Sequence, residues 1–282
     1  MSKPILIFDS GIGGLTILSE IRQALPDERY IYLFDNARLP YGELGELELI
    51  SGCVSLITGF VEKESVSMVV IACNTASTLI LPSLRAVLNI PVVGVVPAIK
   101  PAAELSRKNH IGLLATPGTI RRDYTHELID QFAGDCTVEL YGSSELVLLA
   151  ELKAAGNLVT QQQLASILSP IRQSELDTLV LGCTHFSILK QEMQEYLGDG
   201  TSLLDSGKAV AARVLNLILK TKQELVQSMR DEEYRDESEQ EGKNTDYGYE
   251  PAYYTSEEIG QGLKKTLAEF GFSKTSRVSH SY

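Results

Sequence analysis

Short apolar runs and longer amphipathic segments alternate along this chain of 282 residues. The short runs are rich in β-branched residues and leucine, as is typical of strands buried on both faces of a parallel sheet, and the longer segments repeat apolar residues at helical spacing. The pattern predicts an α/β fold. Strands are expected in the run that starts at Val69 and at residues 5–8, 30–34, 90–96, 111–115, 137–141, 178–181, 202–205 and 252–255. Helices are expected at residues 15–25, 46–63, 209–220 and 257–270.

The order of elements in the first hundred residues recurs in the second hundred. Each part opens with a strand, a small polar turn and a helix, and a strand that leads to a cysteine comes later. Pro97 and Pro101 are typical of a crossing between domains. We therefore expect two pseudosymmetric α/β domains with mostly parallel central sheets and the active site in the cleft between them. The predicted boundaries are residues 1–97 plus 209–282 for the first domain and 98–208 for the second.

Two stretches of matching pattern each present a cysteine where a buried strand gives way to a polar turn. VVIACNTAST presents Cys73, and LVLGCTHFSI presents Cys183. Open α/β folds bind ligands at the carboxyl ends of their parallel strands, where these turns are expected to lie. The cysteines are 110 residues apart, too far for a CxxC pair or a compact zinc knuckle. We expect them on opposite walls of the cleft.

The composition excludes several classes of protein. A chain with 44% apolar residues can bury a full core, and no apolar run approaches the roughly 20 residues of a membrane span. The start MSKPILIFDS enters a strand without a basic and apolar leader, so we expect a cytoplasmic protein that does not contact a membrane. A net charge of −12 argues against direct nucleic-acid binding. Four cysteines do not form a disulfide framework in a chain of this size, and the sequence assigns no role to Cys53 or Cys136.

Residues 231–246 hold eight acidic and two basic side chains with hardly any apolar content. Blocks of like charge are usually solvated, so we expect a mobile acidic loop near residues 223–250 rather than an interaction tail. After it, residues 252–255 are expected to form an edge strand, and the helix at 257–270 is expected to dock back on the first domain.

Several chemistries use buried cysteines. A thiol protease would pair Cys183 with His185, but it would leave Cys73 idle. Zinc prefers closely spaced ligands, and Asn74 and the threonines beside the cysteines are poor ligands, so no metal is expected. Either cysteine alone is as easily a small buried apolar residue. Two cysteines in matching contexts instead favour a pair of opposed acid/base groups.

Opposed thiols suit the inversion of a stereocentre. One thiolate removes the proton from Cα, and the other thiol delivers a proton to the opposite face, so no cofactor is formally required. Asp9 and His185 are placed to tune or relay a proton to the nearer thiol, because a thiol with a pKa of about 8.5 is mostly protonated at neutral pH. The glycine-rich turn after Asp9 would let backbone amides approach an anionic ligand, and the Tyr41–Gly42 turn would let its amides grip a carboxylate.

Six segments together resemble the ordered motif set of the bacterial glutamate racemases, in the aspartate/glutamate racemase family. The resemblance covers about the first 220 residues. The segments are DSGIGG (9–14), DNARLPYG (35–42), ACNTAS (72–77), ATPGT (115–119), LGCTHF (181–186) and DSG (205–207).

The resemblance implies an enzyme that racemises L-glutamate to D-glutamate for peptidoglycan, in the cytoplasm and without pyridoxal phosphate. It implies that Cys73 and Cys183 are the catalytic acid/base residues, assisted by Asp9 and His185. The substrate contacts that it implies are Asp9, Ser10, Tyr41, Gly42, Asn74, Thr75, Thr184 and His185.

A further segment, GVVPAIKPA at residues 94–102, resembles the branch whose members are activated by the cell-wall precursor UDP-MurNAc-L-alanine. We expect a homodimer or a monomer. Two other functions stay open: a racemase of another small acidic amino acid such as aspartate, and an amino-acid-binding module without turnover.

Overall fold

The computed structural model describes residues 3–232 and 250–278. Its strands are β1 (Ile5–Asp9), β2 (Tyr30–Phe34), β3 (Met68–Ile71), β4 (Val92–Gly94), β5 (His110–Ala115), β6 (Thr137–Gly142), β7 (Thr178–Leu181), β8 (Ser202–Leu204), β9 (Pro251–Tyr254) and β10 (Lys274–Arg277). Its helices are α1 (Gly14–Ala24), α2 (Glu46–Lys63), α3 (Asn74–Val87), α4 (Ile99–Leu105), α5 (Pro117–Ile120), α6 (Asp123–Phe132), α7 (Glu145–Ala154), α8 (Gln161–Gln173), α9 (Thr184–Ile188), α10 (Lys190–Leu197), α11 (Gly207–Glu232) and α12 (Gln261–Glu269).

The strands form two sheets, and every strand pair among the described residues is parallel. The first sheet has the order β10-β9-β2-β1-β3-β4, and the second has the order β6-β5-β7-β8. The order β2-β1-β3-β4 in the first sheet matches that of the whole second sheet. In both sheets, the strand that leads to the cysteine pairs with the strand that opens the half. The predicted fold class is confirmed.

Alternation along the central strands explains why helices cover both faces of the first sheet. Ile5 and Ile7 of β1 belong to an apolar cluster with residues of α1 and α11. Leu6 and Phe8 point the other way and pack with residues of α2 and α3. Because successive side chains of a strand point to opposite faces, a strand that is apolar at every position must be covered on both sides.

The returning end of the chain differs from its prediction in two ways. Strand β9 is internal rather than at the edge, because β10 pairs on its outer side. Strand β10 was not predicted, since its sequence KTSR is polar and mostly exposed, as an edge strand with one solvated side permits.

Helix α11 continues to Glu232, so the predicted loop is wrong for residues 223–232. These residues are mostly strong helix formers, which extends the helix although the apolar pattern fades. The exposed pair Lys220–Glu224, with 3.8 Å between Nζ and Oε1, lies on the same helix. The rest of the acidic segment falls within 233–249, outside the described residues.

The two chain crossings between the sheets lie side by side. Ser206, which precedes α11, donates a hydrogen bond from Oγ to the carbonyl oxygen of Val96 at 2.6 Å. No described helix is both long and apolar enough to cross a membrane. The assignment of 1–97 plus 209–282 and 98–208 to separate domains stays a prediction.

Candidate active site

The two cysteines occupy equivalent positions in the two halves. Cys73 is the residue before α3 and Cys183 is the residue before α9, and both are buried. Their backbones are nearly the same, with φ −133° and ψ 117° at Cys73 and φ −144° and ψ 134° at Cys183. The sequence therefore uses one strand-to-helix turn twice, and each turn delivers a thiol at the carboxyl edge of its sheet.

A carboxylate lies beside Cys73. The Cys73 thiol donates weakly to Ser10 Oγ at 3.8 Å, and the carboxyl of Asp9, the residue before Ser10, is close enough to affect the pKa of Cys73. Asp9 is fully buried, and its Oδ2 accepts the amide of Gly14 at 2.6 Å. Burial raises the pKa of Asp9 to about 6, although the charge of His185 opposes the shift. Burial, reinforced by Asp9, raises the pKa of Cys73 well above its ordinary value, so this thiol is protonated at neutral pH.

An imidazole lies beside Cys183. His185 Nδ1 is 3.9 Å from Cys183 Sγ, and its Nε2 is 2.8 Å from Glu151 Oε1. Burial lowers the pKa of His185, but its bonds to Cys183 and Glu151 and the charges of Asp9 and Glu151 together raise it well above the ordinary value. The imidazole is therefore positively charged at neutral pH. Each thiol thus has its own titratable neighbour, and the two neighbours are chemically different.

The glycine-rich turn binds the protein's own carboxylates. The amide of Ile12 donates to Glu151 Oε1 at 2.8 Å, and the amide of Gly14 donates to Asp9. The expectation that such amides meet a ligand is wrong for these two. The glycines instead permit close approach between the halves, since a Cβ on Gly13 would lie 2.6 Å from the backbone nitrogen of His185.

The predicted contacts Asn74 and Thr75 open α3, directly after Cys73. Asn74 Nδ2 is buried without a hydrogen-bond partner among the described residues, and so is Asp9 Oδ1. Buried polar atoms are normally paired, so this donor and this acceptor mark a place suited to a polar ligand. Thr75 Oγ1 lies 3.0 Å from Thr116 Oγ1, across the boundary between the halves.

Gly42 lies against Thr116 of the second half, whereas the Tyr41 side chain packs within the first half, and Thr184 is buried at the start of α9. The Tyr41 hydroxyl donates to Asp35 Oδ2 at 2.6 Å, which fixes the turn from behind. A Cβ on Gly42 would lie 2.7 Å from Thr116 Cβ. The structure thus places Ser10 beside Cys73 and His185 beside Cys183, while the Tyr41 hydroxyl bonds to Asp35, and the roles of these residues in binding stay predictions. No group of three or more His, Cys, Asp or Glu among the described residues is arranged to hold a metal ion.

Glu151, Tyr32 and Arg122 were not predicted. Glu151 is an acidic residue that follows the apolar run LVLLA (146–150) of helix α7, which is a signal that one face of the helix meets something charged. The Tyr32 hydroxyl donates to the carbonyl oxygen of Gly11 at 2.6 Å and supports the turn after Asp9. No local sequence signal marks Tyr32, because its role depends on the neighbouring strand.

Comparison with known proteins identifies the family. A model of the family described as Asp/Glu/hydantoin racemase matches residues 14–214. The chain belongs to this racemase family. A glutamate racemase of Shewanella woodyi is 63% identical over 278 residues, which cover 99% of each chain. Among solved structures, the glutamate racemase of Escherichia coli is 40% identical with a TM-score of 0.85 over 98% of each chain.

The racemase fold extends to more distant members. A glutamate racemase isoform of Bacillus anthracis is 27% identical with a TM-score of 0.76, over 99% of this chain and 97% of its own. The Escherichia coli racemase was solved in complex with L-glutamate and the activator UDP-MurNAc-Ala. The similarity covers 98% of the Escherichia coli racemase and 97% of the Bacillus anthracis isoform.

Proposed function

We propose that this chain racemises L-glutamate to D-glutamate by a cofactor-independent mechanism with two bases, Cys73 and Cys183. The observation that carries the proposal is the pair of buried thiols in equivalent strand-to-helix turns, each with its own titratable neighbour. High identity to glutamate racemases over the full chain supports glutamate as the substrate.

The two thiols act in opposite directions. From L-glutamate, Cys183 removes the Cα proton, and the positive imidazole of His185 stabilises the thiolate. Cys73, which burial keeps protonated, delivers its proton to the opposite face. From D-glutamate the roles exchange, and Asp9 then assists Cys73 in losing its proton. The buried site excludes water and so strengthens the electrostatic stabilisation of the carbanion that forms at Cα.

The unpaired polar atoms orient the substrate. Asp9 Oδ1 accepts from the α-ammonium group, and Asn74 Nδ2 donates to a carboxylate. The remaining contacts are the hydroxyls and backbone amides of the predicted residues, which are Ser10, Tyr41, Gly42, Thr75, Thr184 and His185. The D-glutamate that forms would be used for peptidoglycan synthesis in the cytoplasm.

Incubation of the purified protein with L-glutamate, followed by chiral chromatography, tests the activity. We expect conversion towards an equal mixture of enantiomers, and the same result from D-glutamate. Parallel incubation with L-aspartate tests the substrate. Preferential turnover of aspartate would replace glutamate in the proposal, and binding without turnover of either would show an amino-acid-binding module.

We also propose that a UDP-MurNAc-L-alanine activator binds this chain. The support is a groove of about 530 Å³ between β4 and α11, which is lined by Gly94 of the GVVPAIKPA segment and by the exposed side chains of Arg85 and Arg213. Two guanidinium groups suit the diphosphate of such a ligand. The groove lies outside the thiol site, as an activator site requires.

Racemisation rates with and without UDP-MurNAc-L-alanine test this proposal. We expect the ligand to raise the rate of the wild-type chain. The change Arg85→Gln or Arg213→Gln should weaken activation while the basal rate persists. Arg107→Gln removes an exposed charge that does not line the groove and serves as the control. A rate that is independent of the ligand would contradict the proposal.

A further inference from the structure

Three residues of the second half reach across the cleft to helix α3 of the first half. Thr116, Thr119 and Arg122 are spaced by three around the short helix α5, and all three are buried. This spacing places them on one side of the turn, facing the segment that follows Cys73. Arg122 is notable among them because its charged side chain is only 8% exposed.

Thr75 is held from the second half at both its side chain and its backbone. Its Oγ1 lies 3.0 Å from Thr116 Oγ1 and 3.3 Å from Thr119 Oγ1. Its carbonyl oxygen accepts a hydrogen bond from Arg122 Nη1 at 2.7 Å, and the same nitrogen donates to Thr78 Oγ1. The turn that connects Cys73 to α3 is therefore fixed by contacts from the opposite half.

General stability does not explain the position of Arg122. A cation near the start of α3 faces the positive end of the helix dipole, which is electrostatically unfavourable. The nearest acidic oxygen is Glu46 Oε1, at 3.5 Å from Nε, and the side chain of Glu46 is 64% exposed, so solvent screens this pair. The contacts that compensate burial of the guanidinium are those to the carbonyl oxygen of Thr75 and the hydroxyl of Thr78.

We propose that Arg122 is a positioning residue that clamps the Asn74–Thr75 turn, and through it the wall that carries Cys73, when the two halves meet. The inference rests on the proposed racemase function. The clamp makes the geometry of the Cys73 side depend on the opposite half, so that proton transfer by Cys73 is efficient only in the assembled cleft.

Kinetics of Arg122→Gln beside Arg121→Gln test the clamp. Arg121 precedes Arg122 and is exposed, so its substitution removes the same charge from the same segment without touching α3. Hydrogen bonds from a charged donor are worth enough that we expect kcat/KM of Arg122→Gln to fall by about 10- to 100-fold. Arg122→Lys keeps the positive charge and a hydrogen-bond donor, so its kcat/KM should fall less than that of Arg122→Gln. Arg121→Gln should remain within about two-fold of wild type.

An isotope effect separates positioning from a merely structural role. With D-glutamate deuterated at Cα, Cys73 is the base, so a misplaced Cys73 makes this step more rate-limiting. The isotope effect on kcat/KM should rise for D-glutamate in Arg122→Gln and should not rise for L-glutamate. Thr78→Val removes one acceptor of Arg122 and leaves the charge in place, so the isotope effect for D-glutamate should also rise, but by less. This variant provides the test if Arg122→Gln folds poorly.

The proposal would be overturned if the isotope effects are unchanged in Arg122→Gln and Thr78→Val and the losses of kcat/KM follow only the fall in melting temperature. Equal kinetics of Arg122→Gln and Arg121→Gln would also overturn it. Absence of racemisation by the wild-type chain and Arg121→Gln would overturn the proposed function, and with it this inference.

Discussion

The two thiols differ in the residue that serves each of them. A buried carboxyl group with a pKa of about 6 lies beside Cys73, and a charged imidazole backed by Glu151 lies beside Cys183. A carboxylate accepts a proton and an imidazolium stabilises a thiolate, so each neighbour suits the direction in which its own thiol acts as base. The backbone of the two halves is therefore pseudosymmetric, but the side chains beside the two thiols are not.

The pKa of Asp9 predicts an acidic limb in the rate profile. Below about pH 6 the carboxyl is protonated and no longer assists Cys73, so kcat/KM falls as the pH drops through this value. Enantiomers have an equilibrium constant of one, so kcat/KM must fall equally in both directions. Rates measured from pH 5 to 9 with each enantiomer check this prediction. In Asp9→Asn we expect a rate lower by about 100-fold and no limb near pH 6; a limb that persists there would assign it to another group.

The glycine-rich turn packs closely against the start of helix α9. A Cβ on Gly13 would overlap the backbone nitrogen of His185, and backbone cannot move aside as a flexible side chain does. We expect Gly13→Ala to displace the two halves and lower kcat/KM by at least about 100-fold with the fold retained.

Gly59→Ala is the matched control, because Gly59 lies within α2 and a Cβ there meets nothing within 4 Å. It should keep full activity and stabilise the protein by roughly 0.5–1 kcal/mol, measured by thermal unfolding. Wild-type activity in Gly13→Ala would show that close contact at this turn is unimportant for the site.

Elements differ in how well the sequence predicts them. Strand β2 at Tyr30–Phe34 and helix α2 at Glu46–Lys63 have the predicted bounds, because a continuous apolar run and an amphipathic repeat each record burial directly. Strand β10 has no such pattern in its sequence, since KTSR is polar and forms a strand by pairing with the edge of β9. The same limit applies to the site: Cys73 and Cys183 lie in visible motifs, whereas Glu151 and Arg122 act on residues 34 and 47 positions away.

The acidic segment at residues 231–246 contributes no residue to the predicted site. Deleting residues 231–246 with a short Gly/Ser bridge should leave turnover within a few-fold, because the segment lies outside every motif and the described contacts of the site do not include it. The deletion removes the last two residues of α11, where ends of helices fray. Steady-state kinetics with circular dichroism check the outcome. Complete loss of activity in a folded variant would assign the segment a part in the site.

In the whole molecule, the order β2-β1-β3-β4 of the first sheet matches the order of the second, and each sheet carries one thiol at the end of its equivalent strand. Neither half carries a complete site. The amide of Ile12 from the first half bonds Glu151 of the second, and Thr75 of the first half is held by Thr116 of the second. The proposed mechanism therefore needs the two halves together, because each half supplies one of the two acid/base groups that invert the stereocentre.

The wild-type reaction in heavy water tests this central claim most directly. Starting from L-glutamate, Cys183 removes the proton and Cys73 returns a solvent-derived deuteron to the opposite face. Early D-glutamate should therefore carry deuterium at Cα, while L-glutamate recovered at the same time should stay largely unlabelled. Cys73→Ser and Cys183→Ser should each abolish racemisation of both enantiomers, and Cys53→Ser and Cys136→Ser should not. Early D-glutamate that keeps its original proton, or deuterium in both pools, would contradict the two-thiol account.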